Sequence, residues 1–318
     1  MGHATDPLGA TGVTVIRRGD EPLRAGVAIL GRATGSRELH AVSVDHLVDG
    51  RIDAIMLAGG SAYGLDAAAG VMRWMEEHGR GFAVGSGVVP IVPAAVVFDL
   101  APLGSFDARP TADMAYKACA LASSSAIAEG SVGVGTGTTV GKILGPAMAM
   151  KGGFGCATGC TADGQLTVAA MVVVNSFGDV RDAYGAIIAG ARTVGGFVDT
   201  ASLLCRGEIA SPSKFADLAS QNTTLAVIAV SIPLATAELT QLARAAGAAL
   251  FHRITPCGSS FDGDIIFAVS PPTGARGGFD PMIGEALAIS ALETAVERAV
   301  RLAAGRDGIP GLADAYGS

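Results

Sequence analysis

Short runs of β-branched and other apolar residues recur along the chain and predict buried strands. Glycine-rich turns and segments with helical spacing of apolar positions separate them. The predicted strands cover 12–17, 25–30, 54–60, 91–98, 165–175, 223–232 and 264–270. Strands and helices mix without a regular βαβ rhythm or an internal repeat, which predicts an α/β or α+β body of stacked sheets and helices.

Helices are predicted after Gly59-Gly60, from Thr111, over about 236–250 and from Asp280 to Gly305. The last has the clearest boundaries, because Asp280 can cap it, Pro281 suits its first turn and Gly305 can end it. In the first, one apolar stripe is formed by Leu65, Ala68, Ala69, Met72 and Met75.

A polar stretch from about 200 to 221 interrupts these elements, with Pro212 between serines. A loop of this length inside a compact domain is typically functional or disordered. It ends at Asn222, Thr223 and Thr224, directly in front of a predicted buried strand. The sequence thus places a side-chain amide and two hydroxyls directly next to the predicted hydrophobic core.

Length and composition predict a globular chain with a large core. The 318 residues are 50% hydrophobic and 16% charged, and 45 are glycine, which favours close approaches between backbones. A net charge of −7 without a basic block argues against nucleic acid or an anionic membrane as partner. This charge fits a small-molecule or peptide substrate better. No secretion signal or bilayer-length apolar run is recognised, so we expect a cytoplasmic protein.

Two common kinds of site fail on spacing. The segment GVGTGTTVGKI (133–143) has Thr136 and Ile143 where a phosphate-binding loop needs glycine and a hydroxyl, but it brings Lys142 to the end of a glycine-rich turn. None of the five histidines lies in a nucleophile elbow, and the five cysteines include no C-x-x-C pair. No metal or cofactor is expected.

A hydroxyl nucleophile that supplies its own base is left. An N-terminal threonine can do this, because its α-amino group has a reference pKa of roughly 7.7–8.0 and lies close to its own hydroxyl. Thr223 becomes N-terminal only if the Asn222–Thr223 bond is cut, and Thr224 is a rival by sequence alone. Further along, Gly263 could turn the chain so that Asp262 and Asp264 reach one site, although the local sequence favours a solvated turn.

Several motifs in order resemble one family over nearly the whole chain. They are GRATGSRE (31–38), LAGGSAYGLDAAAGVMRWMEE (57–77), VPIVPAAVVFDL (89–100), GTGTTVGK (135–142), VVVNSFGD (172–179), NTTLAVIAV (222–230) and FDGDIIFAV (261–269). The sequence is similar to the self-processing aminopeptidases and amidases that include the L-aminopeptidase/D-esterase, the β-peptidyl aminopeptidases, a pantetheine hydrolase and the 6-aminohexanoate-oligomer (nylon-oligomer) hydrolase.

The resemblance implies a role for each matching residue. It implies autocleavage of a single domain (1–318) between Asn222 and Thr223 into an α chain of 1–222 and a β chain of 223–318, with Thr223 as the nucleophile. The other implied roles are an acid pair that holds the nucleophile at Asp262 and Asp264, a lysine beside it at Lys142, an oxyanion donor at Asn175 and a substrate neighbour at Tyr63. For the acid pair, this reverses the local preference for a solvated turn.

The resemblance also implies a four-layer αββα sandwich of the N-terminal-nucleophile-hydrolase type and assembly as a tetramer of αβ units. The function expected is hydrolysis of amide or peptide bonds through an acyl-threonine. Transfer of the acyl group to an amine and a non-cleaving binding or structural descendant stay open as alternatives. The substrate is not selected among α-L, α-D and β-amino amides, ω-amino amides and pantetheine.

Overall fold

A computed structural model of the chain describes residues 1–208, 222–277 and 279–316. In chain order, its strands are β1 (Gly2–Asp6), β2 (Thr11–Ile16), β3 (Leu23–Ile29), β4 (Ser36–Arg37), β5 (Arg51–Ile52), β6 (Ile55–Ala58), β7 (Phe82–Val84), β8 (Gly87–Val89), β9 (Ala94–Val96), β10 (Thr139–Val140), β11 (Met150–Lys151), β12 (Gly153–Cys160), β13 (Thr167–Val174), β14 (Asp179–Arg181), β15 (Ile187–Ala189), β16 (Ala191–Thr193), β17 (Gly196–Val198), β18 (Leu225–Val230), β19 (Ile254–Thr255) and β20 (Ile265–Ser270). Its helices are α1 (Ala68–Glu77), α2 (Ala112–Ala120), α3 (Thr200–Arg206), α4 (Thr236–Arg253) and α5 (Pro281–Arg301). Each predicted strand and helix corresponds to one of these elements.

Two sheets form the centre of the fold. The first has the strand order β1-β2-β6-β9-β4 and the second the order β12-β13-β18-β20-β3-β5. In the second sheet β18 runs parallel to β20 and antiparallel to β13. The start of β18 therefore lies beside the start of β20 and the end of β13.

Alternation of apolar residues along the strands builds four layers, because successive side chains face opposite sides of a sheet. On one side of the first sheet, Val13 and Met56 pack in a cluster with Val71 of α1 and Ala115 of α2. The opposite face of that sheet packs against the second sheet in a cluster that contains Ile16, Leu57, Val173 and Phe267. The outer face of the second sheet is covered by α4 and α5 in a cluster that contains Val172, Ile266, Leu242 and Ala295. The predicted αββα order is thus confirmed.

Glycines in β12 allow α5 to lie directly against the second sheet. A Cβ on Gly153 would be 2.2 Å from the carbonyl oxygen of Ala299, and one on Gly155 would be 2.2 Å from that of Ala295. Such contacts are closer than any Cβ tolerates. The segment GFGCATGC, which sequence patterns did not identify as a strand, owes its composition to this contact.

Three predictions along the chain need correction. Helix α3 occupies the first part of the stretch predicted to be irregular, and the rest of that stretch, 209–221, is outside the described residues. Ala69 is exposed, because Ser61–Ala67 forms a 3₁₀ helix whose tighter turn changes the phase of the buried face entering α1. The last helix begins with the predicted Asp280 cap and Pro281 but ends at Arg301, before Gly305. Within the described residues, no helix combines the length and the apolar character needed to cross a bilayer.

Candidate active site

The ends of three strands bring most of the predicted site residues together. Thr223 lies two residues before β18, and Asp264 lies immediately before β20, which runs parallel to β18. Asn222 forms an isolated β-bridge with Asp262. Asn175 follows β13, and its carbonyl oxygen accepts a hydrogen bond from the Thr223 N–H at 3.0 Å. The hydrogen bonding between β13 and β18 therefore continues beyond the ends of these strands and fixes the main chain around Thr223.

The Thr223 side chain lies against the peptide bond that precedes it. Its hydroxyl donates to the carbonyl oxygen of Asn222 at 2.6 Å, and the residue is only 5% exposed. The same carbonyl oxygen accepts the main-chain N–H of Gly263 at 2.9 Å. The carbonyl group of Asn222 is thus polarised by two donors, one of which is the neighbouring hydroxyl.

Lys142 is buried beneath this bond. Its Nζ donates to the carbonyl oxygen of Asn175 at 3.1 Å, to Asn175 Oδ1 at 3.0 Å and to Asn222 Oδ1 at 3.2 Å. These are all acceptors, and an ammonium group has three N–H donors whereas a neutral amine has two. The surroundings of Lys142 therefore suit its charged form.

The Asn175 side chain is held at both ends of its amide. Its Oδ1 accepts the Thr139 N–H at 3.0 Å as well as Lys142, and its Nδ2 donates to the carbonyl oxygen of Phe98 at 3.0 Å. These contacts fix the amide plane. The Asn175 Nδ2 thus donates to the main chain just beyond β9 of the first sheet.

Asp262 and Asp264 are both buried, so the solvated turn favoured by the local sequence is wrong. Asp264 Oδ1 accepts the Thr224 N–H at 2.6 Å, and Asp264 Oδ2 accepts the Gly258 N–H and the Cys257 thiol, each at 3.2 Å. Asp262 Oδ2 accepts the Ser259 N–H at 2.7 Å. The turn before β20 is thus ordered around two carboxylates.

The residues after β3 explain why this turn is buried. Leu30 and Ala33 donate their main-chain N–H groups to the carbonyl oxygens of Asp264 and Asp262, both at 2.9 Å. A Cβ on Gly31 would be 2.0 Å from the Asp262 carbonyl oxygen. The motif GRATGSRE therefore begins with a glycine because the backbone after β3 touches the backbone of Asp262 there.

Gly263 is equally constrained. A Cβ at this position would be 2.7 Å from Thr223 Oγ1 and 2.7 Å from the Ala33 carbonyl oxygen. Because only glycine fits, its N–H can reach the Asn222 carbonyl oxygen. Sequence reasoning assigned Gly263 a turn but missed this donor; the signal was the glycine between two acids.

Burial moves two pKa values toward neutrality. Burial lowers the pKa of Lys142 to about 7, although the nearby Asp262 and Asp264 act in the opposite direction. Burial, followed by repulsion from Asp262, raises the pKa of Asp264 to about 6. An acid and a cation that both titrate near neutral pH are typical of catalytic sites.

The rival nucleophile, Thr224, has a different environment. Its hydroxyl is buried and finds no hydrogen-bond partner among the described residues. Its main chain is held by Asp264 and by the N–H of Ile265. The Thr223 hydroxyl, in contrast, lies directly against a polarised carbonyl.

Tyr63 lies apart from this cluster. Its ring is 53% exposed and carries the Arg109 guanidinium 3.5 Å above its centre. The connection to the cluster is indirect: Ser61 donates to the Val97 carbonyl, and the adjacent Phe98 carbonyl accepts from Asn175. The structure thus brings together all the predicted site residues except Tyr63.

Asp99 and Cys257 are further polar residues that sequence reasoning missed. Buried Asp99 accepts the Gly60 N–H at 2.6 Å and the Thr11 hydroxyl at 2.7 Å, and so holds the turn that carries Tyr63. Cys257 contacts Asp264, as described above. Within 1–208, 222–277 and 279–316, no group of three His, Cys, Asp or Glu side chains could hold a metal ion.

The model of peptidase family S58 matches residues 1–306, almost the entire chain. The chain belongs to peptidase family S58. An uncharacterised aminopeptidase of Mycobacterium tuberculosis is 42% identical over 270 residues, which cover 84% of this chain and 74% of that protein. A 6-aminohexanoate-oligomer endohydrolase of a Kocuria species is 28% identical over 275 residues, which cover 85% of this chain and 72% of that protein.

Solved structures confirm the fold of this S58 peptidase. The L-aminopeptidase D-Ala-esterase/amidase of Ochrobactrum anthropi, described as a variant of the Ntn hydrolase fold, superimposes with a TM-score of 0.69 at 20% identity, covering 96% of this chain and 85% of that one. A β-aminopeptidase of a Burkholderia species gives 0.67 at 22% identity, covering 99% and 88%. The family resemblance is confirmed, and the S58 chain is a hydrolase of peptide-type C–N bonds.

Proposed function

We propose that this S58 peptidase cleaves its own Asn222–Thr223 bond and then uses Thr223, as the new N-terminus, to hydrolyse amides. One observation carries the proposal: the Thr223 hydroxyl and the Gly263 N–H meet at the carbonyl oxygen of Asn222, at 2.6 and 2.9 Å. A nucleophile and an oxyanion donor on the same carbonyl are the two groups that acyl transfer requires.

In self-cleavage, Thr223 Oγ1 attacks the carbonyl carbon of Asn222 and its proton passes to a carboxylate of the Asp262/Asp264 pair. Negative charge develops on the Asn222 oxygen, where Gly263 donates. The C–N bond then breaks as the Thr223 nitrogen takes up a proton, leaving Asn222 as an ester on Oγ1. Water hydrolyses this ester and yields a carboxylate on Asn222 and a free amine on Thr223.

The free amine changes the chemistry of the second reaction. An α-amino group has a reference pKa of roughly 7.7–8.0 and can act as general base for its own hydroxyl. A substrate amide is attacked by Oγ1, its amine leaves with a proton, and water hydrolyses the acyl-threonine. Asp264 accepts the Thr224 N–H and lies beside this new amine, where an ionised carboxylate orients the charged form.

Lys142 and Asn175 contribute to both reactions through hydrogen bonds and charge. The Lys142 ammonium holds Asn222 and Asn175 through three hydrogen bonds and offsets the charge of the buried carboxylates. The predicted oxyanion role falls to the Asn175 side-chain amide, whose plane is fixed by hydrogen bonds with Thr139, Lys142 and Phe98. The two asparagines and the lysine thus form one connected network.

Two isosteric substitutions test this assignment against its rival. Thr223→Val removes the proposed nucleophile, and Thr224→Val removes a buried hydroxyl that makes no hydrogen bond in the described structure. We expect Thr223→Val to stay one chain and to hydrolyse no amide, whereas Thr224→Val is cleaved and active. Cleavage of the Thr223→Val variant, or its absence in Thr224→Val, overturns the assignment. The tetramer of αβ units, the small peptide or amide substrate and the cytoplasmic location stay predictions.

A further inference from the structure

A cavity of about 250 Å³ lies directly beside the bond proposed to be cut. Asn222 forms one of its walls, and two serines, Ser259 and Ser260, contribute its polar edge. The remaining walls are the apolar side chains of Phe177, Leu204, Pro256 and Phe261. None of the described residues that line it carries a charge.

We infer that this cavity receives the acyl side of the substrate and selects amides whose acyl side chain is uncharged and apolar. The inference rests on the proposed function, since it assigns a substrate class to the same nucleophile. In self-cleavage, Asn222 is the residue whose acyl group is transferred to Thr223 Oγ1. In turnover, the substrate's acyl group forms the same ester on the same oxygen. A cavity at Asn222 is therefore on the acyl side of the bond, and the leaving amine is on the other.

The walls decide which acyl groups fit. Transfer of an ionised side chain from water into an apolar cavity without a partner is strongly unfavourable, so glutamyl or lysyl groups are excluded. Each buried CH₂ of an apolar acyl group is favourable by about 0.8 kcal/mol. The volume is below the roughly 300–1,000 Å³ of sites for drug-sized ligands, so one side chain or a short methylene chain fills it.

The first test uses the cleaved wild-type enzyme and a series of p-nitroanilides of glycine, alanine, leucine, phenylalanine, glutamate and lysine. Each amino acid except glycine, which is achiral, is offered in its L and D forms, and all are also offered as β-amino acids, so that stereochemistry does not hide the effect of the side chain. We expect kcat/KM in the accepted form to rise by about tenfold or more from glycine to leucine, and the charged members to react more slowly than glycine. A preference for a charged acyl group, or no dependence on apolar size, overturns the inference.

The second test enlarges the cavity. Phe261→Ala and Leu204→Ala should each lower the leucyl-to-glycyl ratio of kcat/KM by about tenfold, within the range observed for apolar pockets. Phe197→Ala is the matched control, because Phe197 is 41% exposed and Phe261 43%, but Phe197 does not line the cavity.

The outcomes separate this inference from the proposed function. Fully cleaved pocket variants that hydrolyse glycyl amides with an unchanged leucyl-to-glycyl ratio overturn the pocket assignment alone. A cleaved wild-type chain that hydrolyses no amide of the series overturns the pocket assignment alone, whereas a chain that stays uncleaved and hydrolyses no amide overturns the proposed function and the pocket assignment with it.

Discussion

The main-chain N–H of Gly263 donates to the carbonyl oxygen of Asn222 at 2.9 Å. The two residues lie just before the parallel strands β20 and β18, which begin at Ile265 and Leu225. This contact exists because Gly263 has no side chain: a Cβ would lie 2.7 Å from Thr223 Oγ1. The donor at the Asn222 carbonyl and the space for the Thr223 hydroxyl thus depend on the same glycine.

Gly263→Ala should therefore slow self-cleavage. The added methyl group pushes the turn away from Thr223 and weakens the donor, and loss of one such donor costs about 10²–10³ in rate. The measurement is the fraction of cleaved chain over time after synthesis. Gly19→Ala serves as control, because a Cβ on Gly19 meets nothing within 4 Å. Equal cleavage rates in the two variants contradict the oxyanion role of Gly263.

Lys142 and Lys151 offer a matched pair of buried cations, both with a pKa that burial lowers to about 7. Lys142→Met removes three hydrogen bonds that hold Asn175 and Asn222, and we expect self-cleavage to slow by about 10–100-fold, as for loss of a charged donor worth roughly 1.5–3 kcal/mol.

Lys151→Met should instead reduce stability. Lys151 donates to the carbonyl oxygens of Gly135, Thr136 and Thr138, and leaving buried carbonyls without a donor costs about 1–3 kcal/mol each. Thermal unfolding should shift downward while the folded protein still cleaves. Normal cleavage in Lys142→Met, or a folded but uncleaved Lys151→Met, would show that the roles are not divided in this way.

Self-cleavage should be fastest between about pH 6 and 7. The ionised Asp264 is lost as pH falls through its pKa of about 6, and the Lys142 ammonium is lost as pH rises through its pKa of about 7. Initial rates of cleavage of freshly refolded chain across pH 5–9 give the profile. A rate that climbs steadily to pH 9 would mean that Lys142 acts as a neutral base instead of as a cation.

Substitutions of Cys257 should change the pKa of the Asp264 carboxyl. Its thiol donates to Asp264 Oδ2 at 3.2 Å, so Cys257→Ala should raise the pKa of the Asp264 carboxyl. A donor worth about 0.5–1.5 kcal/mol corresponds to an upward shift of roughly 0.4–1 unit in the acid limb of the pH profile of amide hydrolysis. Cys257→Ser, which keeps a donor, should restore the limb, and Cys205→Ala, at an exposed cysteine, should not move it. An unshifted limb in Cys257→Ala contradicts this role.

Seven strands of the two central sheets were predictable because strands that are buried on both faces appear in the sequence as short, continuous apolar runs, whereas the order of the four layers was predicted from the family resemblance. Met171 and Val173 face the first sheet while Val172 and Val174 face the outer helices, and both faces are apolar. The strand β12 was not predicted because its glycines are required by close contact with the backbone of α5, which lies more than 100 residues later in the sequence. A pattern within one segment carries no trace of so distant a partner.

The candidate site was predictable only in part, for the same reason. Thr223 stood out as a hydroxyl in front of a buried strand, but the burial of Asp262 and Asp264 depends on Leu30 and Ala33, which contact them from the end of β3. The local sequence therefore favoured solvent, and the family resemblance corrected it. The Gly263 donor is a main-chain group, which side-chain chemistry in the sequence does not reveal.

An intact-mass spectrum of the freshly purified protein shows whether the Asn222–Thr223 bond is cut. We expect two polypeptides, one that ends at Asn222 and one that begins with Thr223 bearing a free amine. A single species of 318 residues that persists through prolonged incubation at pH 6–7, or a break at any other bond, would contradict it.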